Sequence, residues 1–216
     1  KEYLEKNRAS VKAFEGDLNI YYQEFPGIGQ GHVCSELVNE IKTEFASALM
    51  DDDFIVTSSM APCIQYLIDH DDTSGASGRS ILFGVDSNMA FGEVNRLIRY
   101  SLGEVLDSTG QARLANIFAN MKNMNMCVQR THDLIIEYGK VKMLPHLHSV
   151  YHPQELICLA VQAIRGKVIT LPHLFLCRQS HPNQYYHSID IYDWITDKDW
   201  HFAFKLLEQT VIEELM

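Results

Sequence analysis

A chain of 216 residues with 46% hydrophobic and 21% charged side chains can bury a substantial core, and its composition excludes the disordered and membrane-spanning classes. Its net charge of −10 and sequence pI of about 5.4 speak against nucleic acid as the main partner, because nucleic-acid binders concentrate Lys and Arg in a basic stripe. The charge is uneven: residues 1–106 carry −9, residues 107–189 carry +4 and residues 190–216 carry −5. Acidic ends favour basic protein surfaces and repel anionic membranes. The longest apolar runs, such as Ile157 to Val161, fall far short of the roughly 20 residues that a membrane span needs, and nothing reads as a signal peptide. Five cysteines, at 34, 63, 127, 158 and 177, form no Cys-x-x-Cys. Their odd number and scatter point to reduced thiols in a cytoplasmic protein, or in one delivered into a host cytosol.

In chain order, residues 2–15 read as a helix with Leu4, Val11 and Phe14 on one stripe. Asn19 to Tyr22 are β-prone, and Pro26 to Gly31 form a glycine-rich loop. Val33, Leu37, Ile41, Phe45 and Leu49, four residues apart, predict one amphipathic helix. Phe54 to Val56 suit a short strand and Pro62 to Ile68 a short helix, while the acidic, Ser- and Gly-rich stretch 69–79 reads as a flexible loop. Ile81 to Val85 resemble a buried strand. Helical spacing covers 89–106 and again 111–137, the latter with one slip near Thr131 and a stop at Gly139.

The last third reads as a strand at 140–151, a helix from Pro153 to Arg165, a strand at 167–178, a turn, a strand at 185–193 and a final helix from Asp197. The final helix begins at a sequence like a capping box and carries Trp200, Phe204, Leu207, Val211 and Leu215 as its expected buried stripe. A strand–helix–strand unit implies parallel pairing when its strands are neighbours. The whole predicts one α+β domain over 1–216, with helices packed on a mixed sheet and a C-terminal β-α-β-hairpin-α unit.

Candidate chemistry is sparse. Cys34 stands near the start of a helix with Gln30 four residues before it; a helix start lowers a thiol pKa, and a glutamine can supply an oxyanion donor. His173 lies in a later strand and Asp190 across the following turn, so thiol, imidazole and carboxylate occur in an order that resembles the papain-like cysteine hydrolases and transferases. No aromatic follows Cys34 and no family motif surrounds His173 or Asp190; a thiol at such a place is also an ordinary small core residue. His146 and His148 share one face of a strand, with His152 close behind, a spacing that suits a metal ion. The same His-x-His pattern is similar to that of rolling-circle nucleases, with Tyr185 or Tyr186 as nucleophile, but the acidic charge opposes a DNA substrate. Surface histidines beside prolines account for it equally. The loop of Gly27, Gly29 and Gly31 lacks the Lys-Ser or Lys-Thr of a phosphate loop.

Phe118, Met121, Met124 and Met126 form a Met-rich tract suited to adaptable protein binding, and Tyr185, Tyr186 and Trp194 offer a second aromatic patch. Each group has an alternative as core packing. The expectation is therefore a protein-binding module without catalytic activity, such as an adaptor, a chaperone or a secretion- or effector-associated component. It needs no cofactor, and its partners are proteins offering basic or apolar segments, not nucleic acid. A papain-like thiol enzyme using Cys34, His173, Asp190 and Gln30 is the alternative, and metal binding through His146, His148 and His152 the third reading.

Overall fold

The computed structural model describes residues 2–51, 53–86, 92–120, 122, 124–144, 151–180, 192, 196–197 and 199–216. The elements are α1 (Glu2–Ala13), α2 (Gln30–Leu37), β1 (Phe45–Ser47), β2 (Asp53–Ile55), α3 (Met60–Asp69), β3 (Thr73–Val85), β4 (Val94–Tyr100), α4 (Gly110–Asn120), β5 (Val128–Arg130), α5 (Thr131–Val141), α6 (Tyr151–Arg165), β6 (Lys167–Ser180) and α7 (Trp200–Leu215). Single-turn 3-10 helices occupy Val38–Glu40 and Thr57–Ser59. These elements make an α+β fold around one mixed sheet, as the sequence implied.

Two long strands carry the sheet. β3 and β6 run parallel from Thr73 opposite Lys167 to Gly84 opposite Ser180, and the other strand pairings among the described residues are antiparallel. The path through the sheet is β1-β5-β3-β6-β2. β4 joins the same side of β3 as β5, further along the strand: β5 takes Gly75 and Ala76, and β4 takes Ser80 to Val85. No residue beyond β3 pairs with β4 among the described residues.

The first half of β3, Thr73 to Gly78, is built from small residues because helices approach it on both faces. Ala76 belongs to a cluster with Cys63 and Leu67 of α3, Val128 of β5, and Phe175 and Leu176 of β6. Gly75 faces the other way: a Cβ there would stand 2.7 Å from Cys127 Sγ and 2.9 Å from Gln162 Nε2. On that side α6 packs, burying Ile157, Val161 and Cys158 together with Val141 of α5 and Ala203, Leu206 and Leu207 of α7. Arg113 of α4 fastens the far end of α6. Its Nε donates to Ala163 O (2.6 Å), its Nη2 to Ile164 O (2.9 Å) and its Nη1 to Asp107 O (2.9 Å), satisfying carbonyls that a helix C-terminus leaves open.

Several sequence expectations need correction. The helix expected from Val33 to Leu49 ends as the 3-10 turn at Glu40; Ile41 is extended and Phe45 pairs with Arg130, so strand pairing overrides the helical spacing. The expected loop at 69–79 is largely the buried start of β3, because Ser and Gly serve there as close-packing residues rather than as turn formers. Residues 94–100 are a strand, not part of a helix over 89–106. The helix expected over 111–137 is interrupted by β5, whose end at Arg130 coincides with the slip at Thr131. α5 runs through Gly139 to Val141, so the strand expected from 140 does not start there. The parallel partner of β6 is accordingly β3. On α7 the buried row is Ala203, Leu206, Leu207 and Thr210, while Phe204 is exposed. The strand expected at 185–193 lies outside the fully described residues.

Candidate functional site

The second halves of β3 and β6 pair with β4 and β2. The register aligns Phe54, Cys177, Ile81 and Arg99 across four strands, and Gln179, Phe83 and Leu97 in the next row but one. Cross-strand partners and residues two apart share a face, so Phe54, Ile81, Phe83, Leu97 and Arg99 line the same side. Phe54 and Phe83 contact each other with ring centroids 6.1 Å apart, yet Phe54 is 53% exposed and Leu97 63%. β4 adds Val94 at 61% and Ile98 at 40%. An edge strand is already a template for another strand; β4, which pairs with β3 alone among the described residues, also carries apolar side chains in water.

The charge on this edge is basic, against the trend of the whole chain. Arg96 and Arg99 of β4 and Arg79 of β3 are exposed, and none of them makes an ion pair or a side-chain hydrogen bond among the described residues. β4 contains no acidic residue. On the opposite face, in the alternate rows, Arg178 reaches Asp53 (3.5 Å) and donates to the Tyr100 hydroxyl (3.2 Å), while Ser80 Oγ is buried with no hydrogen-bond partner among the described residues.

The residues singled out for thiol chemistry sit elsewhere. Cys34 is in α2, which packs on α5 and α6, and its thiol lies beside the Tyr138 hydroxyl. Burial pushes the Cys34 thiol up, and the Tyr138 contact only partly offsets this. The cause is position: α2 already begins at Gln30, so Cys34 stands past the free N–H groups of the helix start. Gln30 Nε2 donates to Met50 Sδ (2.9 Å). His173 is exposed on β6, where the register with β3 slips between Leu171 and Leu174. No hydrogen bond joins Cys34, Gln30 and His173 among the described residues, and Asp190 lies outside them.

Of the Met-rich tract, Phe118 is exposed while Met124 and Met126 are buried in the core, so for these two methionines packing is the role. Met121, Tyr185, Tyr186, Trp194, His146 and His148 lie outside the described residues, and His152 belongs to the first turn of α6. Among the described residues no three His, Cys, Asp or Glu side chains gather to hold a metal ion. No described helix is long and apolar enough to cross a membrane.

A second polar cluster escaped sequence reasoning. Glu137 of α5 is 1% exposed, and its Oε2 accepts from Gln129 Nε2 at 3.4 Å. Beside it, Gln162 Nε2 donates to Cys127 Sγ at 3.0 Å. Glu137 Oε1, Gln129 Oε1, Gln162 Oε1 and Thr131 Oγ1 have no hydrogen-bond partner among the described residues. Burial pushes the Glu137 carboxyl well above the ordinary carboxylate range and raises the Cys127 and Cys158 thiols. The helical period puts Glu137 three residues after the core residue Leu134, which was the one available signal. Compared with known proteins, the sequence matches no protein-family model and no curated protein.

Proposed function

We propose that this chain is a protein-binding module without covalent chemistry, and that it receives apolar segments of other chains along β4. The observation carrying this reading is the edge strand itself, with Val94, Leu97 and Ile98 in solvent beside Arg96 and Arg99, which make no ion pair among the described residues. Such a strand supplies backbone hydrogen bonds for affinity and alternating side chains for specificity, as in recognition by strand addition. The total charge favours a basic partner, but the charge at the surface governs docking. Arg99 on the Leu97 face, Arg96 on the Ile98 face and Arg79 on the neighbouring strand suit a segment that mixes apolar and acidic residues. The role is that of an adaptor, chaperone or effector-associated component. The thiol reading is less favoured, since a raised Cys34 pKa works against a nucleophile at neutral pH.

The test is a photo-crosslinking amino acid at position 97, with the same group at Phe202 of α7 as a control, in chain purified at low salt from its native source. The proposal expects one partner at fixed stoichiometry, crosslinked from 97 and not from 202, and lost with Leu97→Asp. A chain that stays alone in every such purification contradicts it.

A further inference from the structure

The segment from Ala13 to Phe25 is unusual in how little it touches. Every residue from Leu4 to Gln23 except Val11 is exposed, including Phe14, Leu18, Ile20, Tyr21 and Tyr22. α1 doubles back on this segment through two bonds from Arg8 to Glu24, each 2.7 Å, and Tyr22 donates its hydroxyl to Glu24 at 3.0 Å. Residues 4–23 contribute no fully buried side chain. Residues 19–25 are neither helical nor sheet-paired, although Ile20, Tyr21, Tyr22 and Phe25 are residues that strands favour. A β-prone, largely exposed segment whose backbone joins no sheet among the described residues is half of an intermolecular sheet.

β4 is the other half. It is seven residues long, which matches the span of 19–25. The charges also match. No Lys or Arg occurs between Lys12 and Lys42; Glu15 and Asp17 stand just before the segment, and Glu24, its one acid, is paired with Arg8; β4 carries Arg96 and Arg99 with no acid. The arginines further disfavour two copies of β4 pairing with each other, since like charges would face across the new ladder. We propose that residues 19–25 of one copy of this chain add as a strand to β4 of a second copy. This rests on the reading of β4 as a docking edge and names its first occupant: an outside partner must displace the second copy's segment to bind.

The test uses the full chain. Sedimentation is followed from low micromolar to sub-millimolar concentration, with the photo-crosslinking group at Tyr21 in a heavy-isotope-labelled copy mixed with an unlabelled one. The proposal expects a concentration-dependent dimer with mixed-isotope crosslinks from position 21 into residues 94–100. Association should weaken at least about tenfold in Arg96→Glu/Arg99→Glu, and fall with added salt, because exposed charge pairs are screened. Leu97→Asp serves as a second variant; all three positions are exposed, so circular dichroism should remain unchanged. A monomer at every concentration overturns the proposal, as do crosslinks within a single copy, β4-to-β4 crosslinks from position 97, or a dimer indifferent to both variants. If a monomeric chain still crosslinks a different protein from position 97, this inference falls while the binding-module reading stands. If it crosslinks nothing, both fall.

Discussion

Replacing Glu137 with glutamine should stabilise the protein, and the gain should grow with pH. The carboxyl is 1% exposed and accepts one long bond, from Gln129. The charged and titratable groups around it are Asp133 on the same helix, Arg165 of α6, Glu214 of α7, and the Cys127 and Cys158 thiols. Burial dominates, and its direction is upward. A carboxyl whose folded pKa is raised contributes stability fully present below its unfolded value, about 4.3, and lost as pH rises toward the folded value. Between those two limits each pH unit removes about 1.4 kcal/mol. Glutamine has the same shape, does not titrate, and brings an N–H2 donor beside Gln129 Oε1, which has no partner among the described residues. For a chain of this size 1 kcal/mol moves Tm by about 2–4 °C. The advantage of Glu137→Gln should therefore widen by about 3–6 °C per pH unit above 5 in paired thermal melts. Parallel Tm curves for the two proteins from pH 5 to 8 would refute the reasoning, as would a variant less stable than the parent at the alkaline end.

The Cys34 thiol, raised by burial, should alkylate more slowly at neutral pH than an ordinary exposed cysteine; fast labelling below pH 7, read by mass spectrometry of each thiol, would restore the enzyme reading. Gly78→Ala drives a Cβ into the carbonyl oxygen of His173 and should cost about 1–3 kcal/mol in denaturant unfolding. Arg113→Ala strips the carbonyls of Ala163, Ile164 and Asp107 of their donor and should cost about 3 kcal/mol; a loss under 1 kcal/mol would mean that those groups find other partners. Leu97→Asp, at an exposed position, should change stability by no more than about 0.5 kcal/mol.

What was legible in the sequence depended on whether local and tertiary preferences agreed. α3, α6 and β6 combine a period, flanking breakers and a buried environment, and all three lie close to where periodicity put them. The first half of β3 reads as a loop in the sequence because Ser and Gly are ambiguous: they are turn formers locally and spacers where α3 and α6 close on the sheet. β4 reads as helix in the sequence because Val94, Leu97 and Ile98 satisfy a three-to-four residue spacing. That spacing is a core signal only if the residues are buried, and here they are exposed. The same misreading hid the candidate surface. The thiol set failed to stand out for a related reason: Cys34, Gln30 and His173 acquire their neighbours, Tyr138, Met50 and the bulge of β6, only through long-range packing.

The docking role of β4 is tested most directly by amide hydrogen exchange across residues 94–100, measured in the dilute chain and in its complex with any second chain that co-purifies, including another copy of itself. Strand addition predicts that amides on the outer side of β4 gain strong protection in the complex while those of α7 remain as they were. Unchanged exchange in β4, with protection appearing elsewhere, would contradict the account.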